Sequence, residues 1–391
     1  MFSARFHWDP RPNRLTRLLQ ARREAGAEIL DLTESNPTRA GLAYPEDALG
    51  PLADPGGLNY DPSPAGLPAA RDAVAAYYAA RGETVERGRI LLTASTSEGY
   101  AYLFKLLADP GDEVLVPRPS YPLFDFLAAM ESITVRPYPL AYHGRWSIDL
   151  DGLRAAINER TRAIVLVHPN NPTGSFVRRA EVEALAPLCR DRALALIADE
   201  VFADYAFAPD AERAGSLCGA RECLAFTMSG LSKVAGMPQL KLGWIVVGGP
   251  HGLADEAFEK LEWIADTYLS VSTPVQRAAP GLLAAAESVQ RQIRGRTRSN
   301  LEWLREQLRG TAAGLLPVEG GWYAVLQVPR VRSEEEWVLE LLGSHGVLVQ
   351  PGFFYDFPGE AYLVASLLTP EERFRTGIGR LLASLTSLTS L

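Results

Sequence analysis

One stretch of this sequence decides the fold: Thr227-Met-Ser-Gly-Leu-Ser-Lys233-Val-Ala-Gly-Met-Pro-Gln-Leu-Lys241-Leu-Gly-Trp244. Small residues, glycines and a proline surround Lys233, and this composition is typical of a loop. A lysine among small, mostly uncharged neighbours loses its proton more easily than one in water, and a Schiff base with an aldehyde requires a neutral amine. A bare Ser-Lys pair is usually a solvated surface lysine, but the longer pattern Ser-Lys-x-x-Gly-x-Pro, followed by Gly-Trp, favours a reactive one.

The composition narrows the class of protein. The chain has 391 residues, which is long enough for about two or three domains. Its 39 basic and 47 acidic residues give a net charge of −8 without a basic block, which argues against a nucleic-acid partner. No stretch has the roughly 18 consecutive apolar residues of a membrane span, and the N-terminus lacks the apolar core of a signal peptide. We therefore expect a cytoplasmic protein with no membrane partner.

The cysteines support a reducing compartment and give no sign of a metal. They are few and odd in number, and neither they nor the scattered histidines have the spacing of metal ligands. We expect no metal site. The three cysteines are Cys189, Cys218 and Cys223.

Apolar strands and amphipathic helices alternate along the chain, which is typical of an α/β fold. We expect a three-layer large domain, with a mostly parallel sheet flanked by helices, and a smaller α+β domain at the C-terminus. The predicted divisions are residues 1–45, an N-terminal helix and substrate-edge segment that packs with the small domain, 46–285, the large domain, and 286–391, the small domain. The predicted strands of the large domain are residues 89–93, 113–117, 162–168, 193–198 and 243–248.

The segment Ala94-Ser-Thr-Ser-Glu-Gly99 follows the first of these strands and leads into a predicted helix. Hydroxyls and free backbone N–H groups at a helix N-terminus favour an anion, so Thr96 and Ser97 are candidates for a phosphate site. A plain helix cap, with Glu98 in the first turn, explains the same residues. Because its charge repels an anion, Glu98 is expected to point away from such a site.

Three more candidates follow the next strands. Tyr121 stands between two prolines, which leaves an aromatic ring few conformations to lose when it stacks on a flat ligand. Asn171 begins a turn, and Asp199 ends a buried strand. In open α/β sheets ligands bind beyond the carboxyl ends of the strands. A core tyrosine, an ordinary Asn-Pro turn and a charge tolerated at a strand end are the alternatives.

The Lys233 stretch resembles the lysine motif of the class I/II aminotransferases, the fold-type I pyridoxal phosphate (PLP) enzymes of the aspartate aminotransferase superfamily. Asn171-Pro172-Thr173-Gly174 is similar to a second signature of that family. The segment from Tyr60 through Gly66-Leu to Arg71 is similar to a third. The resemblance covers nearly the whole chain, and the candidate residues occur in the family's order.

This resemblance implies that PLP is the cofactor and that Lys233 holds it as a Schiff base, then acts as general acid–base. It also implies a homodimer with shared active sites, in which Tyr60 reaches the cofactor phosphate of the neighbouring subunit. The remaining roles that it implies are Thr96 and Ser97 at the phosphate, Tyr121 stacked on the pyridine ring, Asn171 as donor to O3′, and Asp199 as partner of the pyridine nitrogen.

Three positions depart from the family pattern. Lys241 stands where the family has an arginine for the phosphate, which keeps the charge but loses the bidentate fork. Phe202 stands where the family has a tyrosine that donates to O3′, and Tyr205 is a possible substitute. Val364 stands where the family has the arginine that binds the substrate α-carboxylate.

The Val364 departure leaves two hypotheses for the substrate. Either the amino donor lacks a free α-carboxylate, or another cation binds that group. In the family a loop at the position of Ser35 and Asn36 edges the substrate pocket. Arg39 and Arg118 lie beside segments expected at that edge, although a solvated surface charge is the better explanation of either one alone. The retained transaminase pattern favours a relocated cation.

The residues support an aminotransferase that moves an amino group between an amino donor and a 2-oxo acid. A PLP-dependent lyase or decarboxylase needs the same cofactor contacts and remains an alternative. So does a PLP-binding protein without catalysis. Regulators of that last kind usually carry a fused DNA-binding domain, and no basic helix-turn-helix precedes residue 30.

Overall fold

The computed structural model of the chain describes residues 2–6 and 8–388. The last residues of the predicted small domain, 389–391, lie outside the described part. The helices are α1 (Arg14–Glu24), α2 (Pro68–Ala79), α3 (Thr96–Leu107), α4 (Phe124–Met130), α5 (Leu150–Ala156), α6 (Arg179–Arg192), α7 (Leu231–Val234), α8 (His251–Tyr268), α9 (Thr273–Gln307), α10 (Glu334–His345) and α11 (Glu371–Leu388).

The strands form three sheets with eight, four and two members. They are β1 (Leu30–Asp31), β2 (Ile90–Thr93), β3 (Glu113–Arg118), β4 (Thr134–Tyr142), β5 (Trp146–Ile148), β6 (Thr161–Val167), β7 (Ala195–Asp199), β8 (Ala225–Gly230), β9 (Gly243–Gly248), β10 (Gly314–Leu315), β11 (Tyr323–Gln327), β12 (Val347–Leu348), β13 (Gln350–Pro351) and β14 (Tyr362–Ser366).

The eight-stranded sheet has the order β2-β9-β8-β7-β6-β3-β4-β5. Its central strands β8, β7, β6, β3 and β4 run parallel, whereas β9 is antiparallel to both neighbours and β5 closes the far edge in antiparallel pairing. The predicted fold class, a mostly parallel sheet flanked by helices with a smaller α+β domain, is confirmed. Because β2 runs in the same direction as β8, the carboxyl ends of β2, β3, β6, β7 and β8 meet at one edge of the sheet.

The sheet is covered on both faces because successive residues of its strands enter different cores. Ile164 and Leu196 belong to the core that contains residues of α5 and α6. Their neighbours Val165 and Ile197 belong to the core that contains residues of α3, α4 and α8. Burial on both faces explains why these strands are continuous apolar runs in the sequence.

The C-terminal sheet has the order β10-β11-β14-β13 and is antiparallel throughout. The N-terminal segment packs with this part of the chain, since β1 pairs in parallel with β12 and α1 packs against α10. Leu15 and Leu32 share a core with Trp337 and Phe374. The predicted boundaries at residues 45 and 285 stay a prediction; helix α9 runs without a break through the second.

The expected loop around Lys233 is wrong in one respect. Lys233 lies on the short helix α7, between the antiparallel neighbours β8 and β9. Leu231 donates its N–H to the carbonyl of Leu242, which closes this connection. Composition suggested a loop because glycine and proline are poor helix formers, but contacts with neighbouring segments outweigh propensity over a single turn. Among the helices of the described residues, none has the length and apolar character needed to span a membrane.

Candidate active site

A cavity of about 260 Å³ opens at the edge where the carboxyl ends of the strands meet. Most of the predicted site residues line it, although they come from segments far apart in the chain. Those that the structure brings together are Ser35, Thr96, Ser97, Tyr121, Asn171, Asp199, Lys233 and Lys241. The predicted residues that do not line the cavity are Asn36, Arg39, Tyr60 and Arg118.

The backbone of Lys233 is anchored, and its amine lies among aromatic rings. Its backbone carbonyl accepts a hydrogen bond from the Tyr205 hydroxyl at 2.5 Å. Its Nζ lies 4.9 Å from the centre of the Trp322 ring and 5.6 Å from that of Phe202. Burial among these rings lowers the pKa of Lys233 from 10.5 to about 8, although the nearby charge of Asp199 opposes the change. A substantial fraction of this amine is therefore neutral near physiological pH.

Asp199 ends β7, lines the same cavity as Lys233 and lies near enough for their charges to interact. Tyr100 donates its hydroxyl to Oδ2 at 3.0 Å, and the backbone N–H of Val201 donates to Oδ1 at 3.2 Å. Burial raises the pKa of Asp199, while these two donors and Lys233 act in the opposite direction. The carboxylate is thus fixed in orientation by two hydrogen bonds and points into the site.

The N-terminus of α3 forms another part of the cavity lining. Ser95 caps the helix by accepting the N–H of Glu98 at 3.2 Å. Glu98 accepts the N–H of Ala94 at 2.6 Å and the hydroxyl of Ser270 at 2.7 Å. It does not line the cavity, so the expectation that it points away is confirmed. Thr96 and Ser97 are left at the positive end of the helix, where an anion is favoured.

Lys241 adds a positive charge to the cavity lining. It follows the short turn after α7 and adopts a left-handed conformation with φ of 51°. The strand β9 then begins at Gly243, where an added Cβ would lie 3.1 Å from the Ser95 backbone. This glycine permits the close approach of β9 to the start of α3.

Tyr121 and Asn171 form a side wall. The Tyr121 ring is 41 % exposed and packs edge-to-face on Phe124, with ring centres 6.4 Å apart. Asn171 is buried, and its Oδ1 has no hydrogen-bond partner within the described part of the chain. A buried amide oxygen without a partner is costly, which indicates that this end of the amide is available to a ligand.

The predicted substrate-edge residues separate into two groups. Ser35 lines the cavity and hydrogen bonds with the Tyr323 hydroxyl. Burial raises the pKa of Tyr323 to about 12, so it stays an uncharged phenol. Asn36 instead accepts the N–H of Thr38 at 3.1 Å, inside its own turn.

The two arginines proposed as a relocated carboxylate site lie elsewhere. Arg118 is paired with Asp125 at 2.8 Å and with Asp356 at 2.9 Å. Arg39 is exposed at the end of a short 3₁₀ turn, residues 37–39. Val364 stands where the family has the arginine that binds the substrate carboxylate. It is fully buried in β14, between Val325 and Gln350.

Tyr60 is 72 % exposed and borders a second, smaller pocket together with Tyr102 and Ser270. It does not contribute to the cavity of its own chain.

Phe202 lines the cavity and packs on Trp322, with ring centres 5.2 Å apart. Tyr205 does not replace the missing phenol, because its hydroxyl is bound to the Lys233 carbonyl and its ring is buried away from the cavity. The hypothesis that Tyr205 substitutes as a donor to the cofactor is therefore not supported.

Sequence reasoning missed several residues of the site. Tyr100 had a local signal, since it lies four residues after Thr96 on one helix and so shares its face. Tyr323, which reaches the cavity from the C-terminal sheet, had none. Neither had Trp322, whose ring lies beside the Lys233 amine. Ser232, next to Lys233, also lines the cavity.

Comparison with known proteins identifies a family that agrees with this fold and this cavity. The chain belongs to the class I and II aminotransferase family, which matches residues 27–376. It is an aminotransferase, an enzyme that moves an amino group between an amino donor and an oxo acid, and the resemblance noted from its motifs is confirmed.

Particular relatives are similar over most of their length. The chain is 30 % identical to the glutamate-pyruvate aminotransferase AlaA of Escherichia coli K12 over 349 residues, 86 % of this chain and 85 % of the relative. It is 28 % identical to an alanine aminotransferase of Mycobacterium tuberculosis over 356 residues, 88 % of this chain and 82 % of the relative. An alanine aminotransferase from Pyrococcus furiosus shares the fold, with a TM-score of 0.87, 23 % identity and coverage of 99 % of this chain and 100 % of that one.

Proposed function

We propose that PLP is the cofactor of this aminotransferase and that Lys233 binds it covalently through Nζ. The observation that carries the proposal is the pairing of a half-buried amine, with its pKa lowered to about 8, and a fixed carboxylate, Asp199, in one cavity. When bound, PLP supplies an electron sink as long as its pyridine nitrogen stays protonated.

The cavity residues fit this cofactor in chemistry and in position. The start of α3 has N–H groups that can donate to a phosphate, and Lys241 adds a positive charge. The Asp199 carboxylate, which Tyr100 orients, can pair with a protonated ring nitrogen. The Asn171 amide can donate from Nδ2 to a ring oxygen, and Tyr121 offers a flat face. Each polar group of PLP thus has a counterpart of complementary chemistry.

Within this proposal Lys233 does two things. Its neutral Nζ would hold the cofactor, and the same amine, when free, would carry a proton to and from the substrate carbon. The Trp322 and Phe202 rings keep water from Nζ, which sustains the neutral form. Tyr205 anchors the backbone from which Nζ swings.

The experiment that tests the proposed function follows the visible spectrum of the holoenzyme in two half-reactions. Alanine or glutamate is added first, and the visible band should bleach as the amino group is taken up. Addition of pyruvate or 2-oxoglutarate should then restore it. A band that never changes with any amino donor would contradict transfer, and irreversible bleaching with release of CO₂ or ammonia would indicate a decarboxylase or lyase.

The lowered pKa of Lys233 gives a prediction for pH. Since the neutral amine is the reactive form, the rate at which PLP attaches to the apoenzyme should rise with pH and level off above about 8, instead of rising to 10.5. Asp199→Asn removes the charge that favours the protonated amine, so its midpoint should lie lower than in wild type. Stopped-flow absorbance measures both, and a wild-type midpoint near 10 would refute the prediction.

Phe202 gives a second prediction. A phenol at this position that donates to O3′ draws charge from that oxygen and makes the nitrogen joining Lys233 to the cofactor less basic. The visible band of Phe202→Tyr should therefore titrate at lower pH than that of wild type. Tyr205→Phe is the matched control, because its hydroxyl lies outside the cavity lining, and it should shift the midpoint less. A Phe202→Tyr midpoint equal to or above the wild-type value would disprove the role.

For the assembly we propose a homodimer in which Tyr60 reaches the cofactor phosphate of the other subunit. The exposure of Tyr60 beside Ser270, away from the cavity of its own chain, supports this arrangement. Analytical ultracentrifugation should give twice the 42.6 kDa chain mass. A cytoplasmic location is also proposed, and three buried free cysteines are consistent with it.

For the substrate we propose that Ser35 and Tyr323 edge its binding site. Both line the cavity on the side contributed by the N-terminal segment and the C-terminal sheet. Roles for Asn36, Arg39 and Arg118 have less support, because their side chains bond within a turn, are exposed or are held by carboxylates. Rates of bleaching with alanine and with alaninol, which lacks the carboxylate, test whether a charged carboxylate is required.

A further inference from the structure

Two cavity walls, Tyr121 and Asn171, belong to segments that follow the neighbouring strands β3 and β6. Between these segments lies Asn170, which is 5 % exposed. Its Nδ2 donates to the carbonyl of Pro119 at 3.0 Å and to the hydroxyl of Thr173 at 2.9 Å. Its Oδ1 accepts the hydroxyl of Ser120 at 3.0 Å. One buried amide therefore joins the segment before Tyr121 to the turn that contains Asn171.

The turn itself is rigid. Asn170 donates its backbone N–H to the Ser175 carbonyl at 2.8 Å and accepts the Gly174 N–H at 2.7 Å. The Thr173 and Ser175 hydroxyls lie 2.8 Å apart. The opposite segment is tied to a third region, because Ser120 donates its N–H to the Tyr355 carbonyl at 3.0 Å. The Asn170 side chain thus connects two segments that each have a fixed partner.

The Tyr121 ring depends on this connection. It is 41 % exposed, so side-chain packing alone does not immobilise it. Its position follows from the backbone of the two residues before it, both of which bond to Asn170. An aromatic side chain can position a ring ligand only when the distance between that side chain and the polar groups of the cavity is constant.

We propose that Asn170 is a positioning residue that sets the Tyr121 ring relative to the Asn171 amide, so that both contact the cofactor together. This inference rests on the proposed PLP function. The Asn170 side chain does not line the cavity, and it acts through the two residues that do.

The test compares Asn170→Asp with a matched control. The aspartate has the same shape and still accepts from Ser120, but it has no N–H to give the Pro119 carbonyl, which becomes a buried acceptor without its donor. Ser175→Ala is the control, because it removes a hydroxyl of the same buried cluster that bonds to Thr173 and not to the segment before Tyr121. Ser120→Ala, which deletes one bond of the connection, is the milder variant to use if Asn170→Asp does not fold.

Each apoprotein is titrated with PLP, and the visible circular dichroism of the bound cofactor is recorded with the unfolding midpoint. We expect Asn170→Asp to bind PLP about tenfold more weakly or worse, the scale of one buried hydrogen bond, and to lose most of the visible dichroism. Ser120→Ala should change both in the same direction, and Ser175→Ala should leave both close to wild type. Equal effects in Asn170→Asp and Ser175→Ala, or unchanged dichroism in Asn170→Asp, would overturn the inference.

Measurements on the wild-type protein distinguish failure of this inference from failure of the proposed function on which it rests. If wild type does not bind PLP through Lys233, the proposed function fails before any variant is considered. If wild type binds PLP and the Asn170 variant retains wild-type affinity and dichroism, the positioning role alone fails.

Discussion

Lys233→Ala is expected to lower kcat by roughly 10²- to 10⁴-fold or more, because it removes the group that moves the proton at the substrate carbon. The variant should still bind PLP through its phosphate and ring contacts, but without a covalent bond. Its visible spectrum should therefore resemble that of free PLP, and gel filtration should strip the cofactor more readily than from wild type. Single-turnover rates with alanine measure the loss directly.

Lys260→Ala is the matched control for loss of a lysine. Lys260 lies on α8 and pairs with Glu256 at the surface, so its removal should leave spectrum and rate unchanged. If Lys233→Ala retains the wild-type spectrum and turnover, Lys233 is not the covalent residue. The cavity would then have to use its other lysine, Lys241.

Asp199→Asn is expected to have the next largest effect. The substitution keeps the shape and can still accept from Tyr100, but it removes the negative charge that a protonated ring nitrogen requires. Loss of a charged hydrogen bond costs about 1.5–3 kcal/mol, so PLP retention should weaken roughly 10- to 150-fold. The rate should fall further, because the electron sink depends on that proton. Equilibrium dialysis and single-turnover kinetics separate the two effects.

Tyr100→Phe provides a graded comparison. It removes one of the two donors to Asp199 and leaves the charge in place. We expect a smaller loss of PLP retention than in Asp199→Asn. Retention in Asp199→Asn equal to that of wild type would show that the carboxylate does not contact the cofactor.

Much of this site could be predicted from sequence because parallel strands in a covered sheet are easily detected. Their continuous apolar runs mark β6 and β7, and residues after the carboxyl ends of such strands meet at one edge. Asp199 was found by that rule, whereas Tyr121 was argued from its flanking prolines and Asn171 from the resemblance of its turn to a family signature. Strand β8 was missed, because Thr227 to Gly230 looks like part of a small-residue loop. Only its pairing with β7 and β9 shows that it is a strand.

What could not be predicted depends on contacts between distant segments. Nothing near Arg118 in sequence indicates that Asp356, from the C-terminal part, holds its guanidinium. The same is true of Tyr205, whose hydroxyl binds the Lys233 carbonyl. Both residues were plausible cavity groups from their position in the chain. Their side chains turn elsewhere because tertiary partners satisfy them, and no local pattern encodes that.

The most direct test of the central claim is reduction of the wild-type holoenzyme with sodium borohydride, followed by proteolysis and mass spectrometry. We expect a single pyridoxyl-phosphate adduct, on the peptide that contains Lys233, and none on that peptide in Lys233→Ala. An adduct on Lys241 or on a lysine outside the cavity, or no adduct with PLP bound, would contradict it.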